Sequence, residues 1–99
     1  MSPGTPQFEV DRFEHVAASP GTALLRIAGR WRADARERLP PPILVVDDGR
    51  RTHRLQALPG PDDASPLAAP EGPEWRTAFS APADLVNKER VVFALEAGT

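Results

Sequence analysis

From Leu25 to Ala33 every second residue is apolar or glycine, and Arg26, Arg30 and Arg32 stand between them. A period of two belongs to a strand with one buried face and one wet face. Residues 22–33 are therefore read as a strand with Leu25, Ile27 and Trp31 in the core. The same period starts at Gln7, with Phe8 and Val10 on one face, and then slips, because Phe13 and Val16 do not continue it. A β-bulge or a change of sheet near Asp11-Arg12 accounts for the slip. Ser19-Pro20-Gly21-Thr22 joins the two segments as a turn.

Ile43-Leu44-Val45-Val46 is apolar at every position, which suits a central strand covered on both sides. Asp47-Asp48-Gly49-Arg50 follows, and residues 51–58 alternate again, so the pair reads as a hairpin. Trp75 to Ala81 sets Trp75, Thr77, Phe79 and Ala81 against Arg76, Ala78 and Ser80. A last strand over 90–96 turns Val91, Phe93 and Leu95 inward. Asp34 is placed to cap one helical turn through Arg38, which Pro40-Pro41-Pro42 then stops. Pro59 to Glu74 has no period and is long for an internal connection. It is read as a loop or as hiding a short edge strand around Ser65–Ala69.

Short strands separated by turn signals point to an antiparallel sandwich or barrel. The phrase Trp75-x-x-x-Phe79-x-x-Pro82-x-x-Leu85, followed by a closing apolar strand, resembles the late-strand region of immunoglobulin-like and fibronectin-type-III-like modules. The resemblance spans residues 22–96 and implies a strand that crosses to the opposite sheet, with a leucine plugging the end of the core. The expected fold is an all-β, immunoglobulin-like/fibronectin-III-like antiparallel β-sandwich of six or seven strands. It occupies 7–97 as a single domain, behind a disordered tail at 1–6, and reads as the N-terminal module of a longer protein.

Composition narrows this picture. Among 99 residues, 12 prolines and 7 glycines disfavour long helices. The absence of cysteine removes disulfide frameworks, thiol catalysis and thiolate metal sites. The N-terminus lacks the basic and apolar regions of a signal peptide. No apolar run approaches the roughly 18 residues that span a bilayer. These features point to a cytoplasmic protein with no membrane contact. A net charge of −2 argues against nucleic acid as a partner. Lys88 is the one lysine against 11 arginines, which, with abundant Ala, Pro and Gly, suggests a GC-rich bacterial genome.

The candidate chemistry is sparse. The paired acids Asp47-Asp48 and Asp62-Asp63 fall in a turn and a Pro-rich loop, where Asp is favoured for local backbone bonds. His15 and His53 are too few for a metal site. No nucleophile elbow, phosphate loop or dinucleotide fingerprint occurs, so no catalytic residue, metal or cofactor is assigned and an enzyme is not expected. Gly29 reads as a bulge or a close approach beneath Trp31. Trp31 and Trp75 would stack on sugars if exposed, but their phase puts both in the core.

Arg26, Arg30 and Arg32 are the candidate binding face, extended by Arg51, Arg54 or Arg76 on neighbouring strands. Arginine grips carboxylates with two parallel bonds, so an acidic segment, a sugar acid or a partner domain fits such a face. The competing reading is a solvated face paired to Glu9, Asp11, Glu14 and Glu96. The expected function is a non-catalytic accessory or protein-interaction module, with another protein or a domain of the same chain as partner. The alternatives are a carbohydrate-binding module and, behind it, a small enzyme.

Overall fold

The slip in the first strand is a β-bulge at Asp11. In the computed structural model, which describes residues 6–60, 62, 64–87 and 90–96, Val10 faces Gly29 while Arg12 already faces Ala28. The extra residue re-phases the strand, so that Phe8, Val10 and then Phe13 all turn to the same side. The elements run β1 (Gln7–Ser19), β2 (Thr22–Arg32), β3 (Glu37–Arg38), β4 (Ile43–Asp47), β5 (Thr52–Gln56), β6 (Leu67–Ala68), β7 (Glu74–Pro82), α1 (Ala83–Val86) and β8 (Val92–Glu96). The expected tail before Pro6, Asp63, Lys88 and the domain end at residue 97 lie outside the described residues.

The described residues are all-β, with three antiparallel sheets and no barrel among them: a first sheet ordered β1-β2-β7, a second ordered β5-β4-β8, and the two-stranded pair β3-β6. Leu25, Ile27 and Phe79 of the first sheet meet Leu44 and Val46 of the second in one buried cluster. Each such side chain contributes about 1.5–3 kcal/mol by leaving water. Leu85 and Val86 of α1 join that cluster. β4, apolar from Ile43 to Val46, is the central strand of its sheet, as its composition predicts.

A second cluster gathers Trp31, Leu39, Ala68 and Trp75, with Phe8 packed against it. The Phe8 ring lies 5.0 Å from Trp31 and meets Trp75 edge-on at 6.1 Å. Here the expected helical turn at Asp34–Arg38 is not what forms. Glu37 and Arg38 instead pair with Ala68 and Leu67, and the Leu39 N–H donates to the Pro66 carbonyl at 2.9 Å. A turn cut short by three prolines keeps few internal bonds, whereas the strand buries Leu39. Among the described residues eight strands result: the six read from the sequence, β6 as the hidden one, and β3 as its partner.

The 47–52 hairpin forms as its sequence predicts. Asp47 Oδ1 accepts from the Gly49 N–H, and Asp48 Oδ1 accepts from both Arg50 and Arg51. Gly49 supplies the positive φ of 93° that the turn requires.

Candidate functional site

Even-numbered side chains of β2 leave the first sheet on the side away from the core. The register places Arg30 between Glu9 and Glu74, Ala28 between Arg12 and Arg76, and Arg26 between Glu14 and Ala78. All three arginines singled out in the sequence therefore share one outer face. The structure then divides them.

At one end, Arg30 Nη1 donates to the Gly72 carbonyl at 3.2 Å, and its Nε lies 3.3 Å from the Asp11 carboxylate. Arg32 Nη1 donates to the Pro70 carbonyl at 2.8 Å, and its Nε donates to Glu9. The Ala33 N–H reaches the Ala69 carbonyl, and the Ala69 N–H reaches the Trp31 carbonyl, each at 3.2 Å. Gly72 sits in the left-handed region at φ 58°, and a Cβ there would come within 3.2 Å of both arginine stems. The 69–72 segment thus lies across this end, held by guanidinium donors to carbonyls that no sheet ladder satisfies.

At the other end none of the described residues crosses the sheet. A depression of about 330 Å³ opens there, with Ala28 and Ala78 at its floor and Arg12, Arg26, Arg76 and Glu14 around it. Arg26 Nη1 stands 3.8 Å from Glu14, with both side chains about half exposed. Arg76 Nε stands 3.6 Å from Asp62, whose carboxylate also accepts the Arg76 backbone N–H at 2.8 Å. Arg12 forms no ion pair among the described residues. Exposed pairs at these separations contribute about 0–1 kcal/mol each, so an incoming carboxylate displaces little.

Arg76 joins this face as expected, but Arg51 and Arg54 do not. Arg51 lies in the turn of the β4–β5 hairpin, and Arg54 of β5 pairs with Glu96 at 3.3 Å on the second sheet. Three of the four expected acids, Glu9, Asp11 and Glu14, do meet the arginine face. Arg12 is the residue that strand periodicity missed. Its signal was the bulge itself, since re-phasing after Asp11 turns Arg12 outward beside Ala28.

The remaining candidates have local roles. Trp31 and Trp75 are 3% and 5% exposed, so neither offers a face for stacking. His53 Nε2 lies 3.3 Å from Asp48 Oδ2 beside the turn, and His15 is exposed on β1. Among the described residues, no three His, Asp or Glu converge as metal ligands, and no helix is long and apolar enough to cross a membrane. Gly29 is a close approach, but beneath Phe8 rather than Trp31. A Cβ there would sit 2.2 Å from the Glu9 carbonyl and 2.5 Å from Phe8 Cζ.

Fold and site together define an all-β chain of three antiparallel sheets that carries an open, arginine-rimmed depression on the outer face of one. Compared with known protein families, curated proteins and solved structures, the chain matches none of them.

Proposed function

We propose that this chain is a non-catalytic interaction module that takes an acidic segment, from another protein or another domain of its own chain, on the open end of the arginine face. The observation that carries the reading is the depression itself: three guanidinium groups, from Arg12, Arg26 and Arg76, stand around an alanine floor, and their ion pairs among the described residues are those of Arg26 with Glu14 and of Arg76 with Asp62. A guanidinium fork matches a carboxylate in geometry as well as charge, and the Ala28–Ala78 floor leaves room for a glutamate stem.

In this reading the two facing sheets form an immunoglobulin-like sandwich. β1, β2 and β7 take the places of strands A, B and E, and β5, β4 and β8 those of C′, C and F. Such a scaffold carries its function on faces and loops rather than in the core.

The test is a titration of the isotope-labelled chain with a glutamate-rich peptide, followed by NMR. The expected result is amide shifts centred on Arg12, Arg26, Ala28, Arg76 and Ala78 that shrink as salt is raised. Shifts that are absent, or confined to other surfaces, overturn it.

A further inference from the structure

The two long edges of the molecule are finished differently. On one side the sheets are tied together, the Leu58 N–H donating to the Ala78 carbonyl of β7 at 2.8 Å. On the other side β1 and β8 are both edge strands. Between them runs an apolar groove of about 240 Å³ whose lining includes Val10, Phe13, Phe93 and Leu95. Val10 is 58% and Phe13 38% exposed, although both point toward the core side of their sheet. The Phe13 and Phe93 rings lie 5.0 Å apart across the opening.

Natural edge strands carry devices against pairing with other chains. β1 has register shifts at Asp11 and at Ala18, of which the bulge at Asp11 breaks its ladder in mid-strand. β8 pairs without a register shift along its whole length. Val92 on its outer face is 64% exposed, and the charged residues flanking its apolar stretch are Arg90 and Glu96.

Those two charges make the edge self-complementary. Laid antiparallel against a second β8, with Phe93 opposite Phe93, the sequence sets Val92 opposite Ala94, Val91 opposite Leu95 and Arg90 opposite Glu96. The symmetry repeats every pair on the other side of the axis, as an isologous two-fold interface requires. The apolar pairs Phe93–Phe93 and Val91–Leu95 fall on the core side, and the Arg90–Glu96 pairs fall on the outer side with Val92 and Ala94. Glu96 already stands 3.3 Å from Arg54, and a carboxylate has acceptor sites for a second guanidinium. Shifting the register by two residues either way loses the Arg90–Glu96 match.

We infer that β8 is the pairing edge of a two-fold homodimer, in which two copies of the second sheet join into one six-stranded sheet and their Phe93 side chains close the groove over Val10 and Phe13. The strand lengthens by two residues on pairing, to bring Arg90 into the ladder. This inference stands on the open edge and is independent of the arginine depression, which lies on the outer face of the other sheet.

Sedimentation of the full chain across a range of concentrations tests it, with the charge variants R90E and E96R. The wild type is expected to sediment at twice its 10.7 kDa mass. Each variant alone sets like charges opposite each other at both ends of the ladder, and is expected to dimerise at least about tenfold more weakly. An equal mixture of the two variants sets unlike charges together and is expected to restore dimers, as is the double variant R90E/E96R. Both positions are exposed, and an unchanged circular dichroism spectrum confirms that the fold is kept. A chain that stays monomeric at every concentration overturns the inference. So does a dimer indifferent to the charge swap and to mixing, or a monomer that instead binds extended peptides along β8.

Discussion

Arg26 and Arg32 leave the same strand on the same side, yet they do different work. At the Arg30–Arg32 end the chain returns over the sheet, and its carbonyls at Pro70 and Gly72 become the arginines' partners. Below them the sheet is pinned by Phe8, Trp31 and Trp75, with Gly29 admitting the Phe8 ring. At the Arg26 end none of the described residues crosses, and among them the partners of Arg26 and Arg76 are carboxylates at 3.6–3.8 Å. What an arginine does on a sheet face is decided by what lies above it. A guanidinium given fixed carbonyls becomes part of the fold, and one left with solvated acids remains available to a ligand.

Substitutions at the covered end break this contrast most severely. Gly29→Ala drives a Cβ into the Glu9 carbonyl, a backbone atom that can move only if β1 lifts from β2. It should cost about 3 kcal/mol in urea denaturation, and an unchanged midpoint removes the close approach from the account. Gly72→Ala forces a left-handed alanine against two arginine stems, worth about 1–2 kcal/mol. Its clearest readout is faster amide exchange at Ala69 and Gly72. Arg32→Ala strips the Pro70 carbonyl and Glu9 of their donor and should lower stability by about 1 kcal/mol. Arg26→Ser at the open end should change it by less than about 0.5 kcal/mol, and a larger loss would mean that the open end is also structural.

Much of the scaffold was legible from local pattern. The alternations of β2 and β7 survive intact because each strand buries one face. The 47–52 hairpin follows from aspartates that bond their own turn, and the bulge at Asp11 follows from a slip that hydrophobic residues cannot hide. Leu85 is buried in the first cluster. What could not be read is where the aperiodic 59–74 segment goes. Its contribution is made by backbone carbonyls and by Ala68, which carry no side-chain signal, so Leu39 pairing beside it looked like the end of a helical turn. The same gap concealed the split of the arginine face. Arg26, Arg30 and Arg32 look alike in sequence, and only the returning segment tells them apart. Arg12 joins the outer face only through the bulge at Asp11, which sets it opposite Ala28.

The most direct test sets the two ends against each other through two double variants, R30S/R32S and R26S/R76S, each measured for its denaturation midpoint and its affinity for a glutamate-rich peptide. The account predicts opposite outcomes. R30S/R32S should lower the midpoint and keep the affinity, whereas R26S/R76S should keep the midpoint and bind at least about tenfold more weakly. Equal loss of affinity in both, or full affinity in R26S/R76S, would contradict it.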